Sequence, residues 1–421
     1  MSFILILTYL FFTFIRPQDW MEMFYDKPIV FIISMSALAC IILERLISHK
    51  EGFSKVPQSK LMVGLYTAVL MSHIAHTYFA GFKMAFTTFL VVFVLFFILL
   101  NGINSSVKFK VAIWFIVFLI TTLVFQGMYQ IHNGVGWAGQ GLTYQGGEFT
   151  DQVTRINWVG IFSDPNDLAL TFVMAVGIVL AFLFGRTNFF VRIFSIFILV
   201  ALLYGVYLTN SRGGIIALMA AVYFFFVRRT RKFFWGGIIG GLLAFAVLFF
   251  GPSRMGMVTA TEASAYSRLE LWYQGILMMK SNPVFGVGFN MFQDHLPQTA
   301  HNSYILAGAE LGFVGLFFWV SLIYVSLKGL ITVQNHVPEL YNYALGLQSS
   351  LVGFCAAAFF LSRTYVILPY MFFALSGALM GIAKKRKPSL NFDFTKKDMK
   401  LSAFLSAGSI ALAYAVVKFG I

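Results

Sequence analysis

The chain has 421 residues, of which 59% are hydrophobic and 11% are charged, and its mean hydropathy is +0.82. This composition excludes a soluble globular protein, in which charged and polar residues make up a far larger share. The net charge of +14 does not indicate nucleic acid as a partner, because the basic residues follow a membrane topology along the chain.

Apolar runs of about 18 residues or more predict membrane-spanning helices. We therefore predict an all-α fold, a polytopic integral membrane bundle of 12–13 transmembrane helices in a single membrane domain over residues 1–421, without strand-like alternation. The thirteen candidate spans are 3–15, 28–48, 61–80, 84–101, 109–129, 166–185, 190–208, 213–227, 233–251, 303–327, 343–361, 365–384 and 401–419.

The basic residues predict the orientation of these spans. With a cytoplasmic amino terminus and thirteen crossings, 20 of the 30 Lys and Arg residues fall on the inner side. The outward segments hold 10 basic and 11 acidic residues, which fits the positive-inside rule. Two long connections, 130–165 and 252–302, then face outward, and we expect the working face there because long loops over a rigid scaffold often carry function.

The loop 252–302 is predicted to contain an interfacial helix over about residues 268–280. Ser267-Arg268-Leu269-Glu270 fits a capping box with Ser267 as N-cap, and apolar residues follow at helical spacing. We expect Trp272 to anchor this amphipathic helix at the membrane surface and Pro283 to end it.

Three predicted helices begin on the outer side with capping residues. Asp164-Pro165 precedes the sixth span, Asn210-Ser211 the eighth and His301-Asn302 the tenth. The amino end of a helix offers free N–H groups and a partial positive charge, which suit an anion such as phosphate.

The candidate chemical groups lie close to these helix starts. Arg212 either grips an anion through paired hydrogen bonds or anchors the helix at the interface, and Arg268 allows the same two interpretations. His301 is either a helix cap or a general base that titrates near neutral pH. The outward Arg155 and Arg363 are further candidates for substrate binding.

No metal site is predicted. His73 and His76 share a helix face, but the sequence offers no third ligand beside them, so packing or hydrogen bonding is favoured. Cys40 and Cys355 both fall in the middle of helices, which does not support a disulfide or a zinc site.

Residues deeper in the tenth span are assigned structural roles. Glu310 lies about 13 Å along the helix from His301 and on the opposite face, so we expect it to pair with another helix. Gly308, Gly312 and Gly315 form a stripe that favours close helix packing.

Taken in order, these elements resemble the O-antigen ligase and polymerase superfamily, which are C-type membrane glycosyltransferases. Ser211-Arg212-Gly213-Gly214 resembles the Ser-Arg-Gly element of the family. Arg268 followed by Pro283-Val284-Phe285-Gly286-Val287-Gly288 resembles its Arg-bearing loop helix and Pro-x-x-Gly-x-Gly. His301-Asn302, nine residues and Gly312-Phe313-Val314-Gly315 resemble its His-Asn and Gly-x-x-Gly motif.

The resemblance implies an enzyme of the bacterial inner membrane that acts on its periplasmic face in lipopolysaccharide or polysaccharide biosynthesis. The donor is a glycan on undecaprenyl diphosphate, which Arg212 and Arg268 hold while His301 deprotonates an acceptor hydroxyl in an inverting transfer. Asn302, Arg363 and Arg155 are added as substrate-binding residues, and the loop 252–302 covers the site. No metal, other cofactor or nucleic acid is implied, and membrane lipids surround the chain.

The acceptor and the reaction type stay open at this stage. Arg16-Pro17-Gln18 and Ser163-Asp164-Pro165-Asn166 resemble a subset of the family, so lipid A-core, a protein and a growing glycan are all candidate acceptors. A repeat-unit polymerase of the same superfamily is the first alternative to a ligase. A transporter or flippase for the lipid-linked sugar is the second, although the sequence shows no inverted repeat.

Overall fold

The computed structural model describes residues 1–48, 52–145, 153–231 and 259–420. Helices make up nearly all of the regular structure in these ranges, and one antiparallel pair of short strands, β1 (Thr143–Gln145) and β2 (Val153–Arg155), lies in the predicted loop 130–165. The α-helices are α1 Ser2–Phe14, α2 Ile29–Ser48, α3 Pro57–Ile74, α4 Phe79–Gly102, α5 Ser106–Asn133, α6 Pro165–Leu183, α7 Phe189–Leu208, α8 Arg212–Thr230, α9 Thr259–Ser281, α10 Phe292–His295, α11 Ser303–His336, α12 Tyr341–Ala357, α13 Ile367–Arg386 and α14 Lys396–Gly420.

The predicted membrane architecture is confirmed in its class. Twelve of the thirteen predicted spans coincide with a helix, while 233–251 lies outside the described residues. Nine of the described helices are long and apolar enough to cross a membrane, so the chain is a polytopic helical membrane protein. The prediction of a span over 61–80 is wrong at its end, because α3 stops at Ile74 and Thr77 takes a left-handed backbone conformation (φ 53°) before α4 begins.

The chain divides into two compact units. The first comprises 1–53, 98–256 and 330–357, and α6 lies at its centre with nearly every residue buried. A helix that is apolar all round needs neighbours on every side, and α7, α8 and α12 supply them. Small residues let α6 and α12 approach closely, since a Cβ added to Gly177 would collide with Ser350 of α12.

The second unit comprises 54–97, 257–329 and 358–421. Its apolar cluster joins α9, α10, α11 and α14, and Gly275 of α9 lets that helix lie directly against Ile305 of α11. The clustered buried residues are Leu271, Trp272, Phe292, Ala300, Ile305, Leu306, Ala309, Ala413 and Val417.

The predicted interfacial helix needs two corrections. The helix begins at Thr259, so Ser267 is not its N-cap and Arg268 is not in its first turn. Trp272 is only 7% exposed and packs in the apolar cluster, so it is not a surface anchor. The local capping pattern is overridden by packing of α9 on α11 and α14, whereas the predicted end before Pro283 is confirmed.

Gly312 breaks α11 with φ 63° and ψ −164°, a combination open essentially to glycine alone. The break releases the Ala309 and Glu310 carbonyls and the N–H groups of residues 313 and 314, which would pair with each other in an unbroken helix. The segment 283–288 binds all four: Val287 N–H donates to Ala309 O (2.9 Å) and Gly288 N–H to Glu310 O (3.0 Å). The remaining two bonds run from Phe313 N–H to Pro283 O (2.8 Å) and from Val314 N–H to Val284 O (3.3 Å).

Gly312 is therefore not part of a helical packing stripe, as the sequence suggested, whereas Gly308 lies closely against Met279 of α9, as close helix packing requires. Gly286 and Gly312 have no room for a side chain, because an added Cβ would meet the Glu310 backbone in the first case and the Val284 carbonyl in the second. The Pro-x-x-Gly-x-Gly and Gly-x-x-Gly segments thus bind each other, and the loop supplies the backbone hydrogen bonds that one helical turn lacks.

We expect Gly312→Ala to destabilise the second unit strongly. The positive φ alone costs about 1–3 kcal/mol for a non-glycine residue, and the collision with Val284 adds to this cost. Thermal unfolding of the purified protein in detergent measures the loss. The matched control is Gly408→Ala in α14, where nothing lies within 4 Å of the new methyl group. An equal effect of the two substitutions would contradict the loop-insertion account.

Candidate functional site

His301 lies at the amino end of α11 in a constrained conformation. Asn302 is the N-cap, and its Oδ1 accepts hydrogen bonds from Tyr304 N–H (2.9 Å) and Ile305 N–H (3.1 Å). His301 itself is half-buried and left-handed, with φ 50°. Such a conformation persists only where the surroundings hold it, so the imidazole is carried on a fixed turn, and the predicted helix start is confirmed.

Ser303 ties this turn to the loop between α12 and α13. Its N–H donates to Ala358 O (2.7 Å) and its hydroxyl to Leu361 O (2.6 Å), while the same hydroxyl accepts from Arg363 N–H (2.8 Å). The Thr364 hydroxyl donates to Ser303 O (2.8 Å). The structure therefore brings Arg363 to the turn that carries His301, and two predicted candidates share one corner of the second unit.

Tyr365 follows in the same loop and is a poor proton acceptor. Burial raises the pKa of its phenol well above the ordinary value, so the hydroxyl stays protonated at neutral pH. His301 thus remains the candidate base at this corner.

Arg268 lies on the same side of the second unit as His301. Gly275 of α9 lies against Ile305 of α11, and Met279 lies against Gly308, so the two helices run in the same direction. Arg268 is seven residues before Gly275, or about 10 Å along α9. Arg268 therefore lies at about the same height along the helix axes as the residues that lead into α11.

The loop that follows α9 is clamped from two sides. From α3, the His73 Nε2 atom lies 3.1 Å from Phe289 O, and the Ser72 hydroxyl accepts from Phe289 N–H (2.9 Å). His76 Nε2 contacts Gly286 O at 2.7 Å, so the prediction of hydrogen-bonding histidines is confirmed. Within the described ranges, no group of three or more His, Cys, Asp or Glu side chains is arranged to hold a metal ion.

Glu310 forms the other side of the clamp. Its carboxylate accepts from Asn290 N–H and from Phe292 N–H, both at 3.0 Å. These bonds run to the backbone at the start of α10, and the Tyr365 side chain adds a further hydrogen bond to the carboxylate. The carboxylate satisfies N–H groups that the turn leaves open, which gives this deep acidic residue a structural role.

Arg212 occupies the first position of α8 in the first unit. The Ser211 hydroxyl caps this helix by accepting from Gly214 N–H (3.1 Å), and it donates to Asn166 Oδ1 (2.7 Å) at the start of α6. The predicted caps at Ser211 and Asp164 are both confirmed. Arg212 is half-buried at a helix start that a neighbouring helix holds in place.

Arg155 is the buried centre of this junction. Its Nε donates to Thr209 O (2.8 Å) and its Nη2 to Asn166 Oδ1 (2.9 Å), and its residue is only 6% exposed. Asn210 Nδ2 donates to Thr154 O (2.8 Å) beside it. The guanidinium therefore joins β2, the end of α7 and the start of α6.

The structure thus groups the predicted residues by unit. His301, Asn302, Arg363 and Arg268 lie toward the amino end of α11 in the second unit. In the first unit, Arg155 and Ser211, the residue before Arg212, both bond to Asn166. Sequence reasoning missed Asn166 and Ser303 as the links in these two corners. Their positions directly beside a proline-capped start and the His-Asn pair were the available signals.

Comparison with known proteins agrees with the resemblance inferred from the motifs. Residues 197–320 match the family model described as O-antigen ligase, which confirms the likeness to the O-antigen ligase and polymerase superfamily. The match supports a function of this general type, and it spans Arg212, Arg268 and His301. The chain matches none of the curated proteins with which we compared it.

We expect Asn166→Ala to destabilise the first unit more than a simple cap deletion does. It removes an acceptor that Arg155 and Ser211 share, and a hydrogen bond to a charged group contributes about 1.5–3 kcal/mol. Asn188→Ala is the matched control, because Asn188 caps α7 by accepting from Val191 N–H, within its own helix. Melting temperatures in detergent compare the two, and a larger loss for Asn188→Ala would contradict the role of Asn166 as a junction.

Proposed function

We propose that the protein is a membrane glycosyltransferase of the O-antigen ligase type. It transfers a glycan from undecaprenyl diphosphate to an acceptor hydroxyl on the periplasmic face of the bacterial inner membrane, with its amino terminus in the cytoplasm. The observation that carries this proposal is the turn before α11, where His301 is held in a left-handed conformation by Asn302 and Ser303, inside the segment that matches the family.

The two arginines are assigned to the diphosphate. Guanidinium groups match phosphate oxygens with paired hydrogen bonds and stay charged throughout. Arg212 starts α8, so the partial positive charge of the helix end adds to its own charge. As the glycosidic bond breaks, negative charge grows on the leaving diphosphate, and fixed cations stabilise it without a metal ion.

His301 is assigned the role of general base. Its imidazole takes the proton of the acceptor hydroxyl while the hydroxyl oxygen attacks the anomeric carbon from the side opposite the diphosphate. One carbon–oxygen bond forms and the bond to the phosphate oxygen breaks, which inverts the anomeric centre. Undecaprenyl diphosphate leaves, and the imidazolium returns its proton to solvent.

The remaining candidates take supporting roles. Asn302 orients His301 by capping α11, and Arg363 is a second cation close to the acceptor side because its loop is bound to Ser303. We assign Arg155 a positioning role and not direct substrate binding, since its Nε and Nη2 donate to Thr209 O and Asn166 Oδ1.

We expect His301→Ala, Arg212→Ala and Arg268→Ala each to lower glycan transfer by at least about 100-fold, the typical contribution of a general base or a preorganised charge. The measurement is transfer from a purified lipid-linked donor by protein reconstituted in nanodiscs. Each variant should still be expressed and inserted into the membrane at the level of the wild type.

Matched controls separate chemistry from charge and fold. His295→Ala removes an exposed histidine six residues before His301, Lys280→Ala removes a cation from the same helix as Arg268, and Arg192→Ala removes an arginine at the start of α7. These three should retain transfer. Full activity of His301→Ala would refute the assigned chemistry and favour a transporter for the lipid-linked sugar.

A second measurement distinguishes a ligase from a polymerase. Deletion of a ligase should leave long lipid-linked polymer without transfer to the acceptor, because polymerisation proceeds on the carrier. Deletion of a polymerase should leave single repeat units instead. We expect the ligase pattern when glycan length on carrier and acceptor is compared by gel electrophoresis, and single units would establish the alternative.

A further inference from the structure

Nine exposed cations of the second unit lie around the start of α3, the end of α13 and the start of α14. They are Lys55, Lys60, Lys384, Lys385, Arg386, Lys387, Lys396, Lys397 and Lys400, and we call this surface the basic rim. Gln58 Nε2 donates to Met380 Sδ (3.1 Å), which places the start of α3 against the end of α13. The segment 387–395 leads from α13 directly into α14.

This connecting segment has an ordered backbone. Leu390 N–H donates to Lys387 O (3.1 Å), and the Leu390 and Phe392 side chains are buried. Thr395 and Asp398 then cap α14 reciprocally, since Thr395 N–H donates to Asp398 Oδ2 (2.9 Å) and Asp398 N–H to Thr395 Oγ1 (3.3 Å). The positive-inside rule accounts for cations on one side of a membrane, whereas here they are also held on a fixed turn.

The acidic residues of the turn do not neutralise the basic rim. Asp398 is buried, and its Oδ1 accepts from Tyr324 Oη (2.7 Å) and Lys328 Nζ (2.6 Å) of α11. Within 384–400, all of which the structure describes, Asp393 is the one exposed acid beside seven exposed cations. The surface therefore carries a strong positive potential that attracts anions.

The basic rim continues into an exposed apolar face of α14. The buried face of this helix packs on α9 and α11 and carries Asp398, Ser402, Ser406, Ala413 and Val417 at helical spacing. The other face begins with Lys397 and Lys400 and continues with exposed apolar side chains, which are Leu401, Phe404, Leu405, Leu412 and Val416. Phe404 lies seven residues after Lys397 and four after Lys400, so the three side chains share one face.

This face matches the length of one lipid leaflet. Half of the hydrocarbon core is about 15 Å thick, which corresponds to about ten residues of helix. Counted from Lys400, that length includes Phe404, which is 72% exposed, and Gly408, where nothing lies within 4 Å of an added Cβ. A lipid chain thus has an open apolar track that starts at a cluster of cations.

We propose that the basic rim and the adjoining face of α14 form a binding site for an anionic phospholipid. Lys397 and Lys400 donate charge-assisted hydrogen bonds to the headgroup phosphate, and an acyl chain lies along Phe404 and Gly408. The other cations of the rim add to the attraction. A zwitterionic phospholipid binds less tightly because its own ammonium group is repelled by the rim.

The test titrates the full-length protein in detergent with dioleoyl phosphatidylglycerol and, separately, with dioleoyl phosphatidylethanolamine. Native mass spectrometry gives the dissociation constant of the first lipid bound. The triple variant Lys396→Gln, Lys397→Gln and Lys400→Gln should bind phosphatidylglycerol about tenfold more weakly or worse, equivalent to at least about 1.4 kcal/mol. Its affinity for phosphatidylethanolamine should not change.

The matched control removes the same charge from exposed positions of the first unit, with Lys110→Gln, Arg186→Gln and Arg192→Gln. This variant should bind phosphatidylglycerol as the wild type does. Equal losses in the two triple variants would show a diffuse attraction by net charge and overturn the site. An unchanged affinity in the α14 variant would overturn it as well.

A second pair of variants tests the apolar track without touching a cation. Phe404→Ser should weaken phosphatidylglycerol binding, while Phe419→Ser should not, because Phe419 is equally exposed to lipid but lies about 22 Å further along α14. Glycerol 1-phosphate, a phosphate without chains, should fail to displace the lipid. Displacement at equal concentration, or normal binding by Phe404→Ser, would identify a site for a free anion and refute the lipid site.

Discussion

The insertion of residues 283–288 into the break at Gly312 is the constraint on which the second unit depends. Four backbone bonds replace the helical pairs that the break removes, so a loop and a membrane helix become one hydrogen-bonded body. In a low-dielectric surrounding, a backbone N–H or C=O group without a hydrogen bond is costly. All four groups that the break releases therefore need the bonds that the loop provides. Because α9 enters the junction from one side and α11 from the other, their relative register is fixed.

The two corners that carry the candidate residues are built on the same local plan. Asn210 and His301 are both left-handed, with φ 47° and 50°, and each is followed by a buried capping residue and then by a helix. The left-handed residue turns the chain sharply into the helix, and the cap satisfies the first open N–H groups. Arg212 therefore lies two residues after a left-handed residue, and His301 is itself the left-handed residue of its corner, although the two belong to different units.

The sequence predicts those features that depend on local chemistry. Helix positions follow from apolar length, and the caps at Asp164, Ser211 and Asn302 follow from residue type beside an apolar run. The start of α9 at Thr259 could not be predicted, because the Ser267 pattern is a complete local cap that tertiary packing overrides. The break at Gly312 was equally hidden, since glycines spaced three and four apart read as a packing stripe until their backbone angles are known.

Uncharged residues beside the candidate histidine and arginines hold the helix starts that carry them. A histidine or an arginine at the end of a membrane helix has many rotamers and a mobile headgroup layer around it, so position has to come from the backbone that carries it. Ser303 and Asn166 provide that control by joining the start of one helix to a neighbouring loop or helix. Loss of either hydroxyl or amide group would therefore release the start of the helix that carries Arg212 or follows His301 from its neighbour, without removing a charged group.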